Sequence, residues 1–357
     1  MHHRIPYWRG VLICGLALAT LTGCSSTVQY IIRQGIGQIS MTVCSVEIDE
    51  VLARQMLDQE HERKLRLVVA ARDFARTQLD LRVGSSFRYF HETNGEPVAY
   101  NLSASRRDEL VPKYWRFPIV GSLAYIGFFA RDDADAEAAK LQEQGYDTYI
   151  YGVDAYSTLG WFPDPVQSKL LDRSDGSLVD TVIHELAHNT VYSVYDSNYN
   201  ESLAMYIGRK GARLFYEQQG TSGQEILAGL EAGYADQEII TTWMMPFETE
   251  LRAHYAQNIT SDDKIAGREA VFQAARERFI NEVQPQLSNP PSYDWWGRIP
   301  TNNAFVLLHR RYNYDLDLFA SAYEYVNGDF EAFIELLRAA ANNEKPFDHL
   351  RAAVNSP

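Results

Sequence analysis

The stretch His184-Glu185-Leu186-Ala187-His188 restricts the possible folds of this chain more than any other part of the sequence. Two histidines four residues apart lie on one face of a helix, one turn apart, so both imidazoles can bind one divalent metal ion. Zinc is the usual occupant of such a pair. The glutamate beside the first histidine, Glu185, would lie at the open coordination position, where it can accept a proton from bound water.

A catalytic zinc ion needs a third protein ligand, and Glu201 is the strongest candidate. It lies in Asn200-Glu201-Ser202-Leu203-Ala204, which follows His188 after a short polar loop and begins a predicted helix that runs to about Tyr216. A pair of antiparallel helices would carry its carboxylate back to the histidines. A glutamate placed at a helix start by the helix dipole is the alternative interpretation. We therefore expect one Zn²⁺ per chain, bound by His184, His188 and Glu201.

The two histidines, followed downstream by Asn-Glu-x-x-Ala, resemble the gluzincin metallopeptidases, although the gap between the two motifs is shorter here than is usual in that group. A closer resemblance, to a bacterial family of predicted aminopeptidase lipoproteins, covers nearly the whole mature chain. It rests on Phe117-Pro118-Ile119-Val120-Gly121, Tyr156-Ser157-Thr158-Leu159-Gly160-Trp161, the His184 to His188 motif, Asn200-Glu201-Ser202 and Asn302-Asn303-Ala304. This resemblance implies a zinc-dependent peptidase, in the first place an aminopeptidase.

The hydrophobic pattern and this resemblance predict an α+β, zincin-like fold, with a small sheet packed on the motif helix and a mostly helical C-terminal half. Within a main domain of residues 47–357, we expect a sheet-rich part at about 87–165, the motif helices at about 177–218 and a helical part at about 223–345. Strands at 87–91 and 97–103 flank Asn94-Gly95, which is typical of a β-hairpin. The motif helix is expected to begin at Ser177, with Asp180 completing a capping box.

Other elements follow from periodicity and from turn residues. They are a strand at 146–153, a bent strand or hairpin at 118–129, and helices at 48–79 (one or two), 132–144, within 223–285, and at 302–312, 315–326 and 330–341. The second motif helix has small residues near one side, Ala204, Gly208, Gly211 and Ala212, which permit close packing on a neighbouring helix.

Residues 1–23 are predicted to be a secretory signal and residues 24–46 a tether. A positively charged start precedes the apolar run Val11 to Leu21, which is too short to span a bilayer comfortably. The run ends in Leu21-Thr22-Gly23-Cys24, which resembles a bacterial lipobox and so implies cleavage before Cys24 and lipidation of that residue. The protein would then be anchored in the envelope of a Gram-negative bacterium, at the outer membrane and facing the periplasm. An ordinary signal peptide or an N-terminal anchor helix is the alternative.

The formal net charge of −14 argues against nucleic acid as a partner, because phosphate binding requires a basic surface. The expected partners are peptide substrates and, through the lipid on Cys24, a membrane. Cys14 belongs to the signal segment, which leaves Cys44 as a lone thiol that we expect to be buried and inert.

Hydrolysis at such a site needs a hydrogen-bond donor for the oxyanion besides the metal. Tyr156, in the loop before the motif helix, is the first candidate, and the alternatives are Tyr192, Tyr206 and His309. Asn302 and Asn303 would either bind the substrate backbone or cap the helix that follows. Asp180 or Asp196 would orient a metal-bound histidine or cap a helix.

The leading hypothesis is a zinc-dependent peptidase in which Glu185 accepts a proton from water and then passes it to the leaving amine. An aminopeptidase also needs an acidic group for the free amine of the substrate, and the sequence does not place one. An endopeptidase, a hydrolase of another amide and a non-catalytic envelope lipoprotein therefore stay open as alternatives. The intact Glu185 favours an enzyme, since a scaffold has no need of a general base.

Overall fold

The computed structural model describes residues 30, 41, 43–117, 121–155, 158, 163–311 and 315–355. The predicted signal segment, the lipidation site Cys24 and the predicted oxyanion donor Tyr156 lie outside these residues. Contacts separate the chain into two units, residues 1–44 and residues 45–357. Cys44 ends the first unit and is exposed, so the prediction that it is buried was wrong; it lies in the turn just before the first described strand, where its side chain faces solvent.

Helices make up most of the second unit. In chain order they are α1 (Ile48–Ala53), α2 (Gln59–Gln78), α3 (Arg131–Glu143), α4 (Asp175–Thr190), α5 (Ser197–Glu217), α6 (Gln224–Tyr255), α7 (Ser261–Arg278), α8 (Asn303–Arg311), α9 (Leu316–Tyr325), α10 (Phe330–Ala341) and α11 (Pro346–Val354). The predicted helical regions are confirmed, and α11 extends them past residue 345, with Pro346 at its first position, where its fixed φ suits a helix start. Among the described residues, no helix is both long and apolar enough to cross a lipid bilayer.

The strands are short and form small sheets. They are β1 (Val46–Glu47), β2 (Tyr89–His91), β3 (Ala99–Arg106), β4 (Trp115–Phe117), β5 (Gly121–Leu123), β6 (Ile126–Phe128), β7 (Tyr146–Val153) and β8 (Val166–Gln167). Among the described residues, β2 lies between β1 and β8, β3 lies between β6 and β7, and β4 pairs with β5 alone. Strand β7 has the predicted bounds and pairs antiparallel with the whole of β3, from Val153 opposite Ala99 to Tyr146 opposite Arg106. The mixed α+β character is thereby confirmed.

The predicted hairpin around Asn94-Gly95 was wrong, although the turn residues were identified correctly. Asn94 and Gly95 both have positive φ, 53° and 80°, as a tight turn of this kind requires. The flanking strands nevertheless belong to different sheets, since β2 pairs with β1 and β8 while β3 pairs with β6 and β7. Phe90 of β2 is buried in the main helical core, and burial there decides the pairing over the local turn.

Helices α4 and α5 form a helical hairpin joined by the loop 191–196. Ser174 caps α4, because its hydroxyl accepts a hydrogen bond from the N–H of Ser177. Asp196 caps α5 by accepting hydrogen bonds from two N–H groups of the first turn. Both predicted helix starts were therefore too late: Ser177 lies within the first turn of α4, and Glu201 lies in the second turn of α5. Several residues near each start are favourable caps, and sequence alone does not choose among them.

The apolar side of α4 forms the centre of the larger core. Leu178, Val179, Val182, Ile183 and Leu186 are fully buried, as the sequence predicted, in one cluster with residues of α2, α5, α9, α10 and α11. Each such side chain contributes about 1.5–3 kcal/mol through burial alone. A second, aromatic-rich cluster holds α6, α7 and α8 together. The apolar side of the motif helix is thus packed in the core, while the motif histidines lie outside that apolar cluster.

Glycines of α5 permit that helix to lie very close to α4, as the small residues predicted. A Cβ at Gly208 would lie 2.4 Å from Asp180 Oδ1 and 3.2 Å from His184 Cβ. A Cβ at Gly211 would lie 2.9 Å from Ile183 Cγ2. Real Cβ atoms almost never approach other atoms this closely, so the contact between the helices requires glycine at both positions.

Candidate metal centre

Three potential metal ligands meet where α4 and α5 pack together. Glu201 Oε2 lies 3.7 Å from His184 Nε2 and 3.8 Å from His188 Nε2. The two imidazole rings are 4.9 Å apart, centre to centre, at an angle of 84°. One ligand atom from each of the three residues lies within 4.8 Å of the others. The structure therefore brings together the three residues that the sequence assigned to the metal.

This donor set fits zinc. In a tetrahedral site with bonds of about 2.0–2.1 Å, ligand atoms lie about 3.3 Å apart, so the observed separations close around an ion with small side-chain adjustments. Two imidazoles and one carboxylate leave the fourth position open, as in catalytic sites. Burial lowers the pKa of His188 to about 4, so this imidazole is neutral at physiological pH and has a lone pair for a metal.

The pKa of His184 shifts in the opposite direction, upward from its usual value. Burial acts to lower its pKa, but the nearby carboxylates of Glu201 and Glu185 outweigh that effect and raise the pKa. A protonated imidazole beside the Glu201 carboxylate occupies the place that a cation would take, and metal binding would displace its proton. Glu201 is 6 % exposed, so its charge needs a cationic partner of some kind.

The candidate general base, Glu185, is half-buried and lies next to His184 on α4. Burial is the main cause that raises its pKa to about 7, and the charges of Glu201 and Asp164 raise it further, while His184 opposes them. A bound dication would lower this value again. A pKa near the working pH is what an acid–base catalyst requires, because the group must both accept and release a proton.

Asp164 is a charged neighbour of Glu185 that the sequence did not reveal. It is 3 % exposed and accepts hydrogen bonds from the Ser86 hydroxyl at 3.1 Å and from the backbone N–H of Thr158 at 3.1 and 3.2 Å. Asn189 of α4 donates to the same Ser86 hydroxyl at 3.0 Å. This chain of hydrogen bonds joins the motif helix to the loop that contains Thr158.

Tyr125 is a second neighbour that was missed. Its hydroxyl donates a hydrogen bond to Glu201 Oε1 at 3.4 Å. Tyr192, an alternative oxyanion donor, is also near the cluster, since the charge of Glu201 adds to burial in raising the pKa of this tyrosine to about 12. With 22 tyrosines in the chain, no local signal distinguished Tyr125 beforehand.

The remaining oxyanion candidates that the structure describes lie in aromatic packing. Tyr206 packs against Phe319 and Phe333, with ring centres 6.4 and 5.7 Å away. His309 packs against Trp296 and Phe305 at 4.6 and 4.4 Å, and burial lowers its pKa to about 4. These contacts hold the helical half of the fold together.

Asn302 and Asn303, predicted either to bind the substrate backbone or to cap the following helix, differ in their contacts, and Asn302 has those of the capping alternative. Asn302 Oδ1 accepts a hydrogen bond from the N–H of Phe305, in the first turn of α8. Asn303 is fully buried; its side chain accepts from the Tyr255 hydroxyl at 2.9 Å and donates to the carbonyl of Arg106 at 2.8 Å. Both side chains thus anchor α8 to its surroundings.

The two aspartates proposed as orienting residues have different positions. Asp196 is the N-cap of α5. Asp180 lies one turn before His184 on α4, and its charge acts on that histidine. Its Oδ2 accepts a hydrogen bond from the Tyr234 hydroxyl at 2.9 Å, and the guanidinium groups of Arg209 and Arg213 lie 5.1 and 4.9 Å from the centre of the Tyr234 ring. Asp180 therefore has the position of a residue behind the metal ligand.

Fold and site together define a mixed α+β protein whose helical hairpin brings two histidines and Glu201 together, with Glu185 next to the first histidine. A family model described as "Putative aminopeptidase" matches residues 29–349, and the chain belongs to that family. The aminopeptidase family expected from the sequence is thus confirmed. No curated protein matches the sequence, and no solved structure matches the chain.

Proposed function

We propose that this protein is a zinc-dependent peptidase of zincin-like architecture, and that it acts as an aminopeptidase. The observation that carries the proposal is the single carboxylate oxygen, Glu201 Oε2, at 3.7 and 3.8 Å from the two histidine Nε2 atoms. Glu185 lies next to His184 on α4, and its pKa is raised to about 7, mainly by burial. Membership of the aminopeptidase family supports the peptidase reaction independently of that geometry.

In this proposal, different residues of the chain have different roles in hydrolysis. His184, His188 and Glu201 would hold Zn²⁺, which when bound polarises a substrate carbonyl and makes water more acidic. Glu185 accepts a proton from the attacking water and delivers it to the nitrogen of the leaving amine. Tyr156 and Tyr192 are the candidate donors to the oxyanion. The low exposure of these side chains, 12 % for His184, 10 % for His188 and 8 % for Glu201, strengthens their electrostatic interactions.

The proposal is tested with metal analysis and a matched pair of variants. We expect one Zn²⁺ per purified chain, and we expect Glu185→Gln to lose about three orders of magnitude or more in kcat while still binding zinc, because only the proton carrier is removed. Glu217→Gln is the control, since this glutamate is exposed at the end of α5. Purified protein without zinc, or a Glu185→Gln variant with unchanged peptide cleavage, would refute the proposal.

The choice between aminopeptidase and endopeptidase is made with peptides in two forms. A library with free N-termini and the same library with acetylated N-termini are compared in kcat/KM. An aminopeptidase cleaves only the free set, because its site must bind the ammonium group. Equal cleavage of both sets would assign an endopeptidase on the same metal centre.

We also propose that the protein is lipid-anchored through Cys24 and faces the periplasm from the outer membrane. The sequence Leu21-Thr22-Gly23-Cys24 at the end of a short apolar run supports this. Metabolic labelling with an alkyne-bearing fatty acid should mark the wild-type protein in the membrane fraction. A Cys24→Ser variant should lose the label, and a label that persists in this variant would contradict the proposal.

A further inference from the structure

The two oxygens of the Glu201 carboxylate have different partners. Oε2 is the atom that lies 3.7 Å from His184 Nε2 and 3.8 Å from His188 Nε2. Oε1 instead accepts the hydrogen bond from the Tyr125 hydroxyl at 3.4 Å. One oxygen therefore points to the space between the histidines, while the phenol holds the other away from it.

We infer that Tyr125 is a positioning residue of the metal centre, which restricts Glu201 to metal binding through one oxygen. The inference rests on the proposed function, since it assumes a metal ion at His184, His188 and Glu201. A carboxylate free to rotate can present both oxygens to a dication and so occupy the coordination position that substrate and water need. A hydrogen bond to Oε1 opposes that rotation and orients the ligand before the metal arrives.

The segment that carries Tyr125 is fixed at both ends, which this role requires. At its start, Gly121 has φ of +77° and lies so close to the loop after the motif helix that a Cβ would be 2.1 Å from the Val194 carbonyl oxygen. At its other end, the buried residues Ile126 and Phe128 pair with β3. Tyr125 lies between these two anchors.

Glu201 is held just as firmly on the other side of the hydrogen bond. It lies in the second turn of α5, where Gly208 keeps the helix close against α4. Because neither partner has much freedom to lose, the hydrogen bond forms at little cost in conformational entropy. The hydroxyl of Tyr125 thus affects the metal ion indirectly, by fixing the orientation of the Glu201 carboxylate.

The test compares Tyr125→Phe with Tyr100→Phe in the full-length protein. Tyr100 is a matched control: its hydroxyl also donates to a glutamate, Glu96, at 3.4 Å, and it pairs with Phe128 in the same sheet. The dissociation constants for Zn²⁺ and Co²⁺ are measured by chelator competition, and the visible spectrum of the Co²⁺ form reports the coordination number. We expect Tyr125→Phe to bind metal about ten-fold more weakly, with a spectrum of higher coordination number, and Tyr100→Phe to match the wild type.

A second measurement separates positioning from general damage to the fold. In a Glu201→Gln background the amide is the remaining ligand, and Tyr125→Phe should then add little further loss of Co²⁺ affinity. Two results overturn the inference. One is the same ten-fold loss of Co²⁺ affinity on Tyr125→Phe in both backgrounds, and the other is a Tyr125→Phe variant whose dissociation constant and spectrum are unchanged. Wild-type protein that binds neither metal overturns the proposed function as well, whereas a wild type that binds zinc and depends on Glu185 leaves that function intact whatever Tyr125 does.

Discussion

Gly208→Ala is the most direct test of the contact between the two helices of the metal centre. The added Cβ would lie 2.4 Å from Asp180 Oδ1, 3.0 Å from the Asp180 carbonyl oxygen and 3.2 Å from His184 Cβ. The carbonyl oxygen is part of the α4 backbone, and the Asp180 carboxylate is held by the Tyr234 hydroxyl at 2.9 Å. Neither neighbour moves freely, so α5 has to shift away from α4.

Two opposing effects set the size of the change. Replacing glycine by alanine inside a helix stabilises it by about 1 kcal/mol when the methyl group has room. Forcing an extra methyl group into a packed interface costs about 1–3 kcal/mol. We therefore expect Gly208→Ala to lower the free energy of unfolding by about 1 kcal/mol and to weaken zinc binding, because the shift separates Glu201 from the histidines.

Gly229→Ala is the matched control, since a Cβ added to this glycine of α6 would have no neighbouring atom within 4 Å, and the variant should gain up to about 1 kcal/mol. Urea denaturation midpoints and chelator competition give the two quantities. If Gly208→Ala is as stable as Gly229→Ala and binds zinc like the wild type, then α4 and α5 do not pack as closely as their glycines indicate.

Three further outcomes are expected from other contacts of the fold and the site. Asp147 on β7 accepts two hydrogen bonds from the buried Arg268 of α7, at 2.6 and 3.1 Å. Asp147→Ala should therefore lower the free energy of unfolding, measured by urea denaturation, by about 3–5 kcal/mol, and a loss under about 1 kcal/mol would contradict this. Burial holds the pKa of His309 at about 4, below the 6.5 of an unfolded chain, so the unfolded state binds the extra proton and the protein loses stability as pH falls from 6.5 to 4. His309→Phe should flatten the dependence of the free energy of unfolding on pH in this range, and an unchanged slope would contradict the prediction. Zn²⁺ should raise the melting temperature of the wild type and leave that of His188→Ala nearly unchanged in a thermal shift assay; an equal rise in both would place the metal elsewhere.

Local sequence signals predicted the centre of this fold well. The spacing of His184 and His188 indicated the shared helix face, and the glycines at 208 and 211 indicated the close helix contact. Strand β7 was found from its pattern alone, because eight residues of suitable composition begin after a glycine turn. In each case the physical cause lies within a few residues, so it can be read from the sequence.

Features that depend on distant residues could not be predicted in this way. Tyr125 and Glu201 are separated by 76 residues, and nothing in either neighbourhood indicates their contact. The partner of β2 is decided by where Phe90 is buried, although the turn after it was identified correctly. For Asn303 the sequence left substrate binding and helix capping open, because the burial of this residue depends on the packing of α8 against β3, which only the complete fold determines.

The three proposed metal ligands all come from one helical hairpin, and this has a consequence for how the protein folds. Only the loop 191–196 separates α4 from α5, so bringing the ligands together closes a short stretch of chain at little entropic cost. Contacts between residues near in sequence also form quickly. A growing chain that has been synthesised as far as α5 already contains the three proposed metal ligands, and the helices from α6 to α11 are added afterwards. Zinc available during synthesis or refolding is therefore expected to favour an early native-like hairpin around which the later helices assemble.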